Sequence, residues 1–132
     1  MEIQEFTYTG EGMNPVYKNE HWIVGIKNFK PANAAENLDT LERHNKTDEL
    51  FALLEGSCTL IYANETEKGL IFKKKVMEKG LLYNIPASLW HNTVTLPGTK
   101  MLLIEAPGTG PENSDFLSMN EQQKKEVREL CK

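Results

Sequence analysis

Two histidines and a glutamate stand at intervals that let three strands deliver them to one place. His44 closes the run Leu41-Glu-Arg-His44, a short turn follows, and Glu49 opens a second run that ends at Gly56. Further along, Gly80, Pro86 and His91 repeat the pattern of glycine, proline and then histidine. Two imidazoles and one carboxylate form a donor set suited to Fe(II), Mn(II) and related ions that keep open coordination positions. Glu42 shares a strand face with His44, because side chains alternate sides along a strand. A glutamate on an inward face must be paired, protonated or metal-bound, since an unpaired buried carboxylate is costly.

The elements that must position these residues read as short strands. Residues 22–29 are rich in β-branched and aromatic side chains and form the first firm strand. Residues 38–44 form the strand of His44. Residues 50–54 are apolar on both parities, as in a strand buried on both sides. Residues 59–62 and 70–76 read as a hairpin joined by residues 64–69, a connection longer than the tightest turns. Strands at 81–85, 93–95 and 101–105 follow, and the proline- and glycine-rich stretch 107–111 ends the β region. Residues 6–8 are weakly strand-like, residues 10–15 read as loop, and residues 31–37 as a connector. Only the tail is helical by pattern, over residues 121–130, with Ser118 to Glu121 fitting a capping box. Many short strands at regular spacing predict an all-β sandwich or barrel.

A chain of 132 residues is expected to form one domain. Its net charge of −4 makes nucleic acid a poor partner, which would need a clustered basic surface. The densest basic run, Lys73-Lys74-Lys75, reads as a solvated strand edge that discourages edge-to-edge pairing. No apolar run approaches the roughly eighteen residues that a membrane span needs. The acidic start, Met1-Glu-Ile-Gln-Glu, lacks a secretory pattern, so the expected location is the cytoplasm. Cys58 reads as a small buried hydrophobe and Cys131 as an exposed tail residue. With no Cys-x-x-Cys pair, neither a zinc knuckle nor a redox motif is available.

The two blocks resemble the cupin superfamily, whose first motif is Gly-x5-His-x-His-x3-4-Glu-x6-Gly and whose second is Gly-x5-Pro-x-Gly-x2-His-x3-Asn. His44, Glu49 and Gly56 hold their spacings in the first, and Gly80, Pro86 and His91 in the second. Thr47-Asp48-Glu49 and Leu53-Leu-Glu-Gly56 also look like a small single-domain cupin. The resemblance covers residues 22–107 and implies a double-stranded β-helix, or jelly-roll barrel, with an N-terminal arm over 1–21 and a short C-terminal α-helix over 119–131. It departs at four places. Glu42 replaces the first motif histidine, Ser88 a glycine and Thr95 an asparagine, and the leading glycine is missing near Asn37 and Leu38.

The resemblance implies a divalent metal, one of Mn, Fe, Ni, Co or Zn, held by Glu42, His44, Glu49 and His91. A second carboxylate favours the harder ions, Mn and Fe. If Glu42 stands free of the metal, it becomes a candidate catalytic base for proton abstraction beside a carbonyl. Tyr83 is a weaker candidate for a hydroxyl reaching the cavity. Trp90 reads as core or as the floor of a sugar pocket, His21 as a surface residue, and Phe51 and Leu53 as the apolar wall below the metal. The expected function is a metal-dependent enzyme acting on a sugar-like or other small oxygenated metabolite held in the barrel, with isomerase or epimerase chemistry slightly ahead of lyase or dioxygenase. The alternatives are a non-enzymatic metabolite-binding or sensing protein and a metal-free structural barrel. A homodimer is expected by family analogy.

Overall fold

The computed structural model describes residues 1–132. It holds ten strands: β1 (Gly12–Lys18), β2 (Ile23–Asn28), β3 (Thr40–His44), β4 (Glu49–Glu55), β5 (Cys58–Thr66), β6 (Gly69–Val76), β7 (Leu82–Ile85), β8 (Trp90–Thr95), β9 (Lys100–Glu105) and β10 (Ser114–Ser118). One helix, α1 (Glu121–Leu130), follows. The strands form two five-stranded sheets, β1-β2-β9-β4-β7 and β10-β3-β8-β5-β6, with every pairing antiparallel. This is the expected jelly roll. No helix is long and apolar enough to cross a membrane.

Alternation along the strands makes two hydrophobic layers. Between the sheets lie Phe51, Leu53, Cys58, Leu60, Met101 and Leu103, all buried. Behind the second sheet, Leu41, Ile61, Ala63, Trp90 and Val94 turn outward and are covered by Met119 and by Val127 of α1. Val127 is fully buried, so the helix lies on the outside of the barrel. Cys58 sits in the inner layer, where burial pushes its thiol up to about 12. Cys131 is half-buried against the outer layer rather than exposed.

The structure corrects several local expectations. Residues 6–8 form no strand, whereas Gly12 to Lys18 do, despite the turn-forming Gly12 and Pro15. Pairing with β2 supplies the strand, and Pro15 is tolerated because β1 is an edge with an irregular register between Pro15 and Tyr17. The hairpin of β5 and β6 stays paired as far as Thr66 and Gly69, which leaves a loop of Glu67 and Lys68 only. The strand β10 was not foreseen. The helix cap is Asn120 rather than Ser118: its side chain accepts from the Gln123 N–H at 2.8 Å, and Gln123 answers on the Asn120 N–H at 2.9 Å. The lysine run does lie on a sheet edge, in β6.

Two turns hold the site in place. Gly56 adopts φ +81°, and a Cβ there would meet the Thr99 backbone at 2.6 Å, so only glycine closes the turn after β4. Ser88, in the place of the motif glycine, adopts φ +70° and is the only non-glycine residue with positive φ. Its N–H donates to the His44 carbonyl at 2.7 Å, and this bond fastens the turn before His91 to the end of β3. Asp48 helps by accepting from the Ala87 N–H at 2.8 Å.

Candidate metal centre

Register brings the four expected residues together. Glu42 of β3 lies directly across from His91 of β8, and His44 shares the face of Glu42. Glu49 opens β4 in the opposite sheet. Both Oε atoms of Glu49 face the imidazoles, with His44 Nε2 and His91 Nε2 each 3.5 Å away. Glu42 Oε1 lies 4.0 Å from the same two nitrogens. The side chains of His91 and Glu49 are 2% and 4% exposed, while that of Glu42 is 33% exposed and stands at the mouth.

The far side of each imidazole is already occupied. His91 Nδ1 lies 2.8 Å from the Leu89 carbonyl, an acceptor that requires an N–H. His44 Nδ1 lies 2.8 Å from Ser114 Oγ, whose own hydroxyl donates to the Gly110 carbonyl at 2.8 Å. With that proton committed, Ser114 accepts and His44 Nδ1 donates. In both rings the Nε2 lone pair therefore faces the cavity, and neither buried Nε2 has a hydrogen-bond partner. An acceptor aimed at carboxylates, with nothing between, suits a cation. The donor set of two imidazoles and carboxylates fits a divalent ion.

Three further residues shape the site. Glu105 of β9 pairs directly with Glu49 and joins it and His44 in a second cluster of potential ligand atoms. Burial and the charge of Glu49 push its carboxyl up to about 8, while burial alone would raise Glu49 too, yet the imidazoles of His44 and His91 and the neighbouring Glu105 hold it well below the usual carboxylate range. The His44 ring is raised, chiefly by the Glu49 carboxylate 3.5 Å from its Nε2. Lys27 of β2 enters from the first sheet and donates to Thr93 Oγ1 of β8 at 2.9 Å. Ser114 belongs to the unforeseen strand. Signals for two of these existed: Glu105 continues the inward parity of Met101 and Leu103, and Lys27 interrupts an apolar strand.

The cavity has a volume of about 390 Å³ and is walled below by Phe51 and Leu103. Tyr83 does not reach it. It pairs with Phe51 across the strands, lines a separate pocket beside Leu60 and Leu89, and its hydroxyl accepts from the Glu78 N–H at 2.8 Å. Trp90 lies on the outer face of its sheet under the helix layer, so it floors no sugar pocket. Its Nε1–H donates to Glu65 at 2.8 Å, and the Arg43 guanidinium lies 4.4 Å over its ring. His21 is exposed beside Glu20. Thr95, in the place of the motif asparagine, is buried with its hydroxyl unpartnered.

No family model matches the sequence, and no curated protein matches it in sequence. Solved structures do match in shape. A cupin-2 domain protein from Shewanella frigidimarina superposes with a TM-score of 0.56 at 15% identity, over 75% of this chain and 84% of that one. A PAC13 variant from Streptomyces, solved with uridine, gives 0.61 at 9% identity, over 96% and 98%. Oxalate decarboxylase from Bacillus subtilis gives 0.55 at 21% identity over 74% of this chain, which spans 24% of that longer protein. Two antiparallel sheets wrapped around a histidine-and-carboxylate cavity, matched in shape by these proteins, make this chain a cupin in fold.

Proposed function

We propose that the protein binds a divalent metal ion through Glu42, His44, Glu49 and His91 and acts with it on a small oxygenated metabolite. The observation that carries this reading is the pair of buried, unpartnered Nε2 atoms, each 3.5 Å from a Glu49 oxygen. The oxalate decarboxylase of Bacillus subtilis, similar in fold, has Mn(II) centres, and the second carboxylate here supports Mn or Fe. A bound ion would polarise a carbonyl or hydroxyl of the ligand.

The chain's own residues supply the rest. Leu89 and Ser114 fix the two imidazole rings in the tautomer that ligates. Phe51 and Leu103 exclude water from the floor. Glu42, equidistant from both histidines, serves as a ligand rather than as a free base. The narrower reading is proton transfer beside a carbonyl, as in isomerisation or epimerisation, and Glu105 supports it as a cavity carboxylate outside the Glu42–His44–His91 group.

We also propose a homodimer. The outer face of the first sheet carries two apolar rows, Val24–Ile104–Leu50 and Ile26–Leu102–Ala52–Leu82, with no helix behind them. Leu82 is 63% exposed. Light scattering on the wild type and on Leu102→Lys tests this, and a monomeric wild type overturns it.

The metal reading is tested by elemental analysis of protein purified without chelators. Near-stoichiometric metal is expected, and Glu42→Gln should lower affinity. Full occupancy in His91→Ala would overturn the assignment, and unchanged affinity in Glu42→Gln would return Glu42 to the role of base.

A further inference from the structure

Lys27 stands out among the cavity residues because no neighbouring group satisfies its charge. Its Cα lies in the first sheet, opposite Met101, and its side chain crosses the barrel to Thr93 in the second. Thr93 Oγ1 is its one hydrogen-bond partner, and no carboxylate lies within ion-pair distance of its ammonium. A lysine that only needed solvent would lie exposed, as Lys73 and Lys75 do on the edge strand. Lys27 is half-buried, an ammonium drawn out of water is costly unless an anion joins it, and desolvation lowers its pKa, with Glu42 opposing.

The anchor sets the place. Thr93 lies two residues from His91 on β8, with both side chains buried and on one face. That step is roughly 6–7 Å, short enough for a small hydroxy- or oxo-acid to bridge. Charge points the same way: the cavity's three carboxylates, Glu42, Glu49 and Glu105, set against a divalent ion and the lysines Lys27 and Lys30, leave one positive charge in excess. Lys30 lines the same cavity.

We infer that Lys27, held by Thr93, is the recognition group for the carboxylate of a small hydroxy- or oxo-acid whose neighbouring oxygen faces the metal ligands. This rests on the metal reading above and names the substrate class for that site. A phosphate is a poorer match, because a dianion wants several converging N–H donors, and the deep cavity offers one ammonium and a hydroxyl.

The test is titration calorimetry on Mn(II)-loaded protein with glycolate, lactate, pyruvate and malate, against lactamide and inorganic phosphate. At least one acid should bind the wild type, and Lys27→Met should weaken it about tenfold or more with Mn content unchanged and lactamide unaffected. Thr93→Val should weaken it less, and Lys27→Gln repeats the test if Lys27→Met fails to fold. Equal acid binding by wild type and Lys27→Met at full Mn content overturns this inference alone. So does silence from all four acids, or tighter binding of phosphate. A wild type that takes up no Mn(II) overturns the metal reading and this inference with it.

Discussion

Behind the sheet that carries Glu42, His44 and His91 lies a second hydrophobic layer, sealed by Val127 and Met119. Behind the sheet that carries Lys27, Glu49 and Glu105 lies an apolar face that no helix covers, bare only in part: Leu82 is exposed, Val24, Leu50, Leu102 and Ile104 are half-buried, and Ile26 is buried where Phe6 shares a shallow groove with it. The two sheets thus divide the work. The backed sheet holds the imidazoles, whose usefulness depends on a fixed tautomer and a fixed ring. Arg43 reinforces it from outside, bridging Asp115 at 2.8 Å and Glu65 at 3.2 Å while lying over Trp90. The other sheet contributes the Glu49–Glu105 pair and Lys27, whose carboxyls and ammonium are shifted by burial and near neighbours.

This contrast can be broken by experiment. The largest effect is expected on the backed sheet: His44→Ala or His91→Ala should empty the site of metal, read by elemental analysis. Next, Ser114→Ala removes the acceptor that fixes the His44 ring, and metal affinity should fall roughly 10–100-fold in competition with a chelator. In the outer layers, Val127→Ala should cost about 1–3 kcal/mol in urea unfolding, whereas Leu82→Ala on the bare face should stay within about 0.5 kcal/mol for the monomer. If the two substitutions cost the same, the sheets are backed alike and the contrast fails.

A pH series probes the bare sheet's carboxylates in metal-free protein. Glu105 is raised from an ordinary 4.5 to about 8, so the folded state holds a proton that the unfolded chain has lost. Its contribution is complete below about pH 4.5 and disappears as pH rises through 8, and the raised His44 acts in the same direction above 6.5. Glu49, held low, keeps its contribution across this window and loses it only in strong acid. The melting temperature of metal-free protein should therefore fall between pH 5 and 8, and Glu105→Gln should flatten the fall. The smallest effect is a gain: Ser88→Gly relieves the left-handed backbone at φ +70° and should stabilise the fold by about 0.5–1 kcal/mol.

What could be read from the sequence was whatever depends on local spacing. Period-two alternation put Glu42 beside His44 on one face, and the glycine and proline punctuation placed Glu49 and His91, because turn geometry is written in a few residues. What escaped depended on pairing between distant segments. Gly12 and Pro15 read as loop until β2 pairs with them, and residues 114–118 give little strand signal before β3 does the same. Lys27 carries no signal of its direction, because a lysine in a strand reads as solvated. Its direction is decided by Thr93, 66 residues away. Tyr83 failed for a related reason: it shares the inward parity of Phe51, but it lies two residues further down β7 than Ile85, which pairs with Glu49.

The bond between His44 and Ser114 joins positions 70 apart in the chain. Three of the four proposed ligands lie on segments complete by residue 55 and the fourth by residue 95, yet the proton that readies His44 is directed by a strand that follows them all. During synthesis, the site is thus finished by a segment that emerges after every one of its ligands. The proposed metal capture would then wait, in its final form, on the pairing of β10 with β3.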